Sequence, residues 1–175
     1  QGDTLAELIP GAALEAGTEL PQQLRQLIEV QVARLTADEQ RLLEAGSVAG
    51  VEFTLASVAA AIEKPIDEIE TQCEQLSRQG QFIVERDVSR WPDGTVSGRY
   101  AFRHALYQEV LYQRLSASRR VRFHQCIGAR EAAGYGEHAA ERAAELAMHF
   151  ERGQQPQQAI TYYYRAAGVM VQRQA

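Results

Sequence analysis

The chain has 175 residues, 45% of them hydrophobic and 23% charged, with a formal net charge of -5 at pH 7. That length suffices for one domain with a sizeable core or for a small domain with an appended helical module, and the apolar fraction excludes a disordered chain. The acidic balance argues against a protein devoted to nucleic acid, which needs a concentrated basic surface; with no apolar run of about eighteen residues and no signal-peptide pattern, the chain reads as soluble and cytoplasmic with no membrane partner.

Residues 1–20 are rich in Gly, Ala and Leu without a sustained period and read as a linker. Helical spacing starts at Pro21, with Leu24, Leu27, Ile28, Val32 and Leu35 following one another to about Arg34. Thr36-Ala-Asp-Glu39 is a capping box that opens a second helix ending near Gly50. Thr54 can cap a short third helix carrying Leu55, Val58, Ala59 and Ile62. Pro65 or its neighbour opens a fourth, with Ile66, Ile69, Cys73 and Leu76 on one face until Gly80. Gln81 to Asp87 and Gly98 to Phe102 then change period and flank the turn residues Trp91-Pro92-Asp93-Gly94-Thr95, which predicts a β-hairpin.

Helical pattern returns at His104 to Leu115, Ser118 to about Ala133, Glu137 to Glu151, and Pro156 to the end, punctuated by Gly134, Gly136 and Gly153. The last two helices, dotted with small and aromatic residues, resemble one helical hairpin of tetratricopeptide type, of which further copies are expected beyond residue 175. The expected fold is therefore mainly α: a linker at 1–20, a winged helix-turn-helix with its hairpin wing at 21–115, and a helical module at 116–175.

Chemistry-bearing patterns are sparse. Lys64, the single lysine, sits in Ile-Glu-Lys-Pro-Ile with no glycine beside it, so there is no phosphate-binding loop. No serine occupies a nucleophile elbow, and Cys73 and Cys126 fit neither CxxC nor zinc-finger spacing; they read as buried thiols. The expectation is that this chain is not an enzyme and binds no cofactor itself. Glu141, Glu145 and His149 recur every four residues, a metal-capable face that reads better as a solvated one. The expected recognition helix carries Asp67, Glu68, Glu70 and Glu74, which would repel phosphates, so DNA is disfavoured despite Arg86, Arg90 and Arg99 on the hairpin. Arg119, Arg120 and Arg122, with Arg114 and Arg130 nearby, form a basic cluster read as surface charge balanced by Glu131 and other acids rather than as an anion or partner contact.

Tyr100-Ala-Phe-Arg-His-Ala-Leu-Tyr-Gln-Glu-Val-Leu-Tyr112, Leu42 to Phe53, Arg119-Arg-Val-Arg-Phe-His124 and Glu145-Leu-Ala-Met-His-Phe150 together resemble the region after the nucleotide-binding domain in bacterial STAND-class ATPases. These are AAA-like signalling proteins often fused to adenylate/guanylate cyclase or transcription-factor domains. Pro21-Gln-Gln-Leu-Arg-Gln-Leu-Ile-Glu29 is similar to the family's entry into that region, so the likeness covers nearly everything from Pro21 onward. It implies a regulatory segment of a signal-transduction ATPase whose winged helix packs on the nucleotide-binding domain and holds ADP in the closed state. Exchange of ADP for ATP would free it, and the helical repeats would sense a protein or small-molecule signal. Phe102-Arg103-His104-Ala105 looks like the family's Met-His-Asp motif, which assigns His104, with Arg103, to a nucleotide phosphate in the full-length protein. Ala105 departs from that motif's Asp. Two other readings remain: a protein interaction module with a structural winged helix, and a DNA-binding transcriptional regulator.

Overall fold

The computed structural model describes residues 22–174, with side chains defined to residue 168. The expected linker at 1–20 lies outside the described residues. The rest is mainly helical with one small three-stranded antiparallel sheet. In chain order the elements are α1 (Gln22–Ala33), α2 (Ala37–Ala49), β1 (Glu52–Thr54), α3 (Leu55–Ile62), α4 (Ile66–Gln79), β2 (Ile83–Arg90), β3 (Val96–Phe102), α5 (Ala105–Arg114), α6 (Ala117–Tyr135), a 3-10 turn at Gly136–Arg142, α7 (Ala143–Arg152) and α8 (Pro156–Gln174).

Local chemistry sets most boundaries. The Thr36 hydroxyl accepts the Glu39 amide while the Glu39 carboxylate accepts the Thr36 amide at 2.8 Å, so α2 begins on a complete capping box. Thr54 and Ser116 cap α3 and α6 with the hydroxyl alone, accepting the Ser57 and Arg119 amides. α4 stops at Gly80, whose φ of 70° gives the left-handed turn that a Cβ would resist, and its amide reaches back to the Leu76 and Ser77 carbonyls.

The sheet order is β1-β3-β2, which makes β3 the centre. Glu52 faces Ala101 on one side of it and Val84 faces Ala101 on the other. The three residues of β1 are too short a run to show alternation in the sequence; the open edge of β3 is what makes them a strand. The hairpin strands are longer than expected, reaching Arg90 and starting at Val96, with an irregularity between Glu85 and Val88. Likewise the helix expected over Glu137 to Glu151 is broken: it is 3-10 to Arg142 and α-helical only from Ala143.

The main core gathers Ile28, Leu42, Leu43, Leu55, Val58, Ile69, Leu76, Phe82, Ile83, Tyr100, Phe102, Tyr107 and Leu111, and continues without interruption into Phe123 and Ile127 of α6. The expected division at residues 115 and 116 is thus crossed by one apolar cluster, because the inward stripe of α6 packs on α3. A smaller cluster of Ala139, Leu146, Phe150 and Ala159 joins the 3-10 turn, α7 and α8, with Phe150 stacked on Tyr162 at 5.3 Å.

The hairpin tip does not stand free. Trp91 is buried against Gly134 and Tyr135, Arg130 lies over its ring at 4.6 Å, and the Asp93 amide donates to the Gly134 carbonyl at 3.1 Å. Arg130 also donates to Asp93 Oδ2 at 3.0 Å and to Thr95 Oγ1 at 2.6 Å, so the tip is fastened along the C-terminal turns of α6.

Candidate functional site

Arg103 and His104 occupy the junction where β3 gives way to α5, and both are exposed. His104 is the N-cap of α5: its backbone is extended (φ -142°, ψ 139°), and its Nδ1 accepts the Leu106 amide at 3.3 Å. That bond fixes the tautomer of the neutral ring, leaving the proton on Nε2 as an outward donor at the positive end of a ten-residue helix. Among the described residues, Nε2 has no partner. Arg103 donates through Nη1 to the Gly80 carbonyl at 2.6 Å, and its amide donates to the Phe82 carbonyl at 2.9 Å, so it ties the end of α4 to the start of α5. Ala105 is exposed in the first turn.

Arg90 and Arg99 of the hairpin are not part of this junction. In the β2–β3 register Ile83 faces Phe102 beside Arg103, whereas Arg90 faces Val96 at the far end. Seven residues at about 3.3 Å each put Arg90 roughly 23 Å along the strand from Ile83, too far to share one phosphate with His104. Arg99 is held by Asp87 through two hydrogen bonds of 2.7 and 2.6 Å, which pull the Asp87 carboxyl below its usual range.

The basic cluster is dispersed among separate partners. Arg119 pairs with the buried Glu44 at 2.9 Å, Arg122 with Glu63, and Arg130 with Asp93, while Arg120 donates to the Leu115 carbonyl at 3.1 Å. Glu131, expected among the balancing acids, instead accepts a 2.7 Å bond from Ser57 and faces Arg142 at 3.5 Å. The acids of α4 are exposed, as is Arg78, which pairs with Glu74 at 3.0 Å.

The Glu141, Glu145 and His149 face does not exist as one surface. The 3-10 turn removes Glu141 from the lattice of α7 and leaves it beside His138; Glu145 pairs with Arg142; and His149 points inward, 2% exposed. No group of three or more metal-capable side chains converges among the described residues.

His149 instead meets His124, a pairing the sequence did not signal. Their Nδ1 atoms lie 2.9 Å apart, so one ring donates to the other, and His124 Nε2 bonds the Tyr112 hydroxyl at 3.1 Å. Burial is the main reason both rings resist protonation, pushing His124 down to about 3 and His149 to about 4; the charge of His149 and the guanidiniums of Arg152 and Arg120 add to it at His124, and those of Arg142 and Arg152 at His149. A signal for His149 was present: it falls in helical register with Ala143, Leu146 and Phe150, the buried face of α7. His124 follows Phe123 on α6, and its exposure could not be read from spacing alone.

Cys73 is fully buried and its thiol is pushed up to about 12 by burial, whereas Cys126 is only half-buried. No helix among the described residues is long and apolar enough to cross a membrane. Comparison with family models, with characterised proteins and with solved structures gives no significant match.

Proposed function

We propose that this chain is the winged-helix and first helical-repeat segment of a STAND-class signalling ATPase, and that His104 senses the phosphate of a bound nucleotide in the full-length protein. The observation that carries the reading is His104 itself: an exposed ring at a strand-to-helix junction, its Nδ1 occupied by the helix cap and its Nε2–H free to donate to an anion. Arg103 alongside supplies fixed positive charge. The order α2-β1-α3-α4-β2-β3 with sheet order β1-β3-β2 supports a winged helix, and the antiparallel-type packing of α7 on α8 through small and aromatic residues supports a repeat of tetratricopeptide kind. On this reading ADP holds the segment against the nucleotide-binding domain, and ATP releases it.

The test is calorimetry of this chain with the separately produced nucleotide-binding domain, in ADP, in ATP and without nucleotide. ADP-dependent association that weakens in His104→Ala is the expected result; no association in any state refutes it.

A second reading, an interaction module, draws on α8, where Ile160 and Tyr164 are exposed on one side while Ala159 is buried on the other. It predicts a protein partner for the chain alone. DNA binding draws least support: α4 presents exposed acids, and the hairpin tip is fastened to α6 instead of projecting toward a groove.

A further inference from the structure

A groove of about 270 Å³ runs between α2 and α6, lined by Arg41, Arg119, Arg122 and Phe123. In a chain of net charge -5 it gathers three guanidiniums against two carboxylates, Glu44 and Glu63. If the arginines served only to neutralise those acids, two would suffice. Arg41 is the third: it is exposed and makes no ion pair or hydrogen bond among the described residues, yet it lies close enough to help lower the Glu63 carboxyl, behind the larger effect of Arg122.

The other two are held in place. Arg119 is anchored by the buried Glu44 and packs over the Phe123 ring at 5.5 Å, and Arg122 is anchored by Glu63 at the end of α3. A guanidinium has several N–H donors and each anchor engages only part of the fork, so the remaining donors are pre-oriented and little rotamer entropy is left to lose on binding. Arg119 and Arg122 also stand in the first two turns of α6, a nineteen-residue helix capped by Ser116, whose positive end favours an anion there.

We propose that this groove binds a phosphate-bearing anion, with Arg41 as the mobile arm that closes on it and Arg119 and Arg122 as the fixed cradle. Phosphate suits it better than a carboxylate, because its tetrahedral oxygens can take donors from three directions, whereas a carboxylate accepts in one plane. None of the lining residues belongs to the Arg103–His104 junction, so the inference stands apart from the proposed nucleotide sensor.

The test is a titration of the isotope-labelled chain at constant ionic strength, following arginine side-chain and backbone amide resonances. The probes are inorganic phosphate, pyrophosphate and vesicles containing phosphatidic acid, with chloride as the control. Expected are saturable shifts at Arg41, Arg119, Arg122 and the first turns of α6, and about tenfold weaker binding in Arg41→Gln. Arg114→Gln, outside the groove, should bind as the parent does. Arg41 has no partner whose loss would unsettle the fold, so its variant remains interpretable. Saturation with pyrophosphate alone assigns the anion to a soluble phosphate, and saturation with vesicles alone to a lipid headgroup. Shifts that rise linearly, that chloride reproduces, or that Arg41→Gln and Arg114→Gln affect alike would overturn the site.

Discussion

Acid should destabilise this fold through the His124–His149 pair. Both rings are buried and remain neutral far below the ordinary histidine value of 6.5, His124 to about 3 and His149 to about 4. In the unfolded chain each takes up a proton as the pH falls past 6.5, and in the folded chain neither does until much lower. A depressed folded value means that the stability is present above 6.5 and is lost as pH falls toward the folded values. With two protons bound only by the unfolded state, the slope is about 3 kcal/mol per pH unit near pH 5, and the integrated loss from pH 7 to pH 5 is about 4 kcal/mol. That is a large share of the roughly 5–15 kcal/mol that holds a domain together. The assay is urea unfolding at pH 7 and pH 5 of the parent and of a His124→Phe/His149→Leu double variant, which removes both rings and leaves only the half-buried Tyr112 hydroxyl, which does not titrate in this range, without its partner. The parent should lose about 4 kcal/mol more than the double variant over that interval. Equal losses in the two proteins would refute the account, since the acid sensitivity would then lie in carboxylates shared by both.

Gly134→Ala would set a methyl 2.2 Å from Trp91 Cε3 and 2.7 Å from Arg130 Nη1, so the hairpin tip must move off α6 at a cost of about 1–3 kcal/mol; the emission of the single tryptophan should shift to the red, and an unchanged spectrum would argue against the clamp. Thr36→Ala removes the capping box of α2 and should lower stability by about 1 kcal/mol by denaturant midpoint, with little change if the cap is dispensable. Phe82→Ala empties a fully buried site packed on Tyr107 at 5.1 Å and should cost about 3–5 kcal/mol, readable as a fall in Tm. Arg99→Ala, in contrast, breaks an ion pair that water reaches from both sides, so its effect should stay within about 1 kcal/mol and shrink further in high salt.

Much of this architecture is legible in the sequence because its determinants are local. A capping box, a glycine that tolerates positive φ, apolar residues at helical spacing and a Trp-Pro-Asp-Gly turn each act over a few residues, and α1 to α4, the hairpin, α5, α6 and α8 lie close to where those signals put them. The junction of Arg103 and His104 is readable for the same reason: a change of period from strand to helix marks it, and the cap that His104 supplies is a contact two residues along the chain.

What the tertiary structure alone decided are the contacts between segments distant in sequence. β1 exists because β3, more than forty residues later, has an edge to offer. Glu141, Glu145 and His149 share a face only if the helix is continuous, and the 3-10 turn over Gly136–Arg142 breaks that continuity and turns His149 toward His124. Trp91 reads as a turn residue until Gly134 leaves it a place to pack, and Arg119 and Arg122 read as one charge run until Glu44 and Glu63 hold them at the rim of a groove with Arg41. Local sequence sets the conformation of each segment. Which buried polar groups meet depends on how the apolar faces stack, and no spacing rule within a segment carries that.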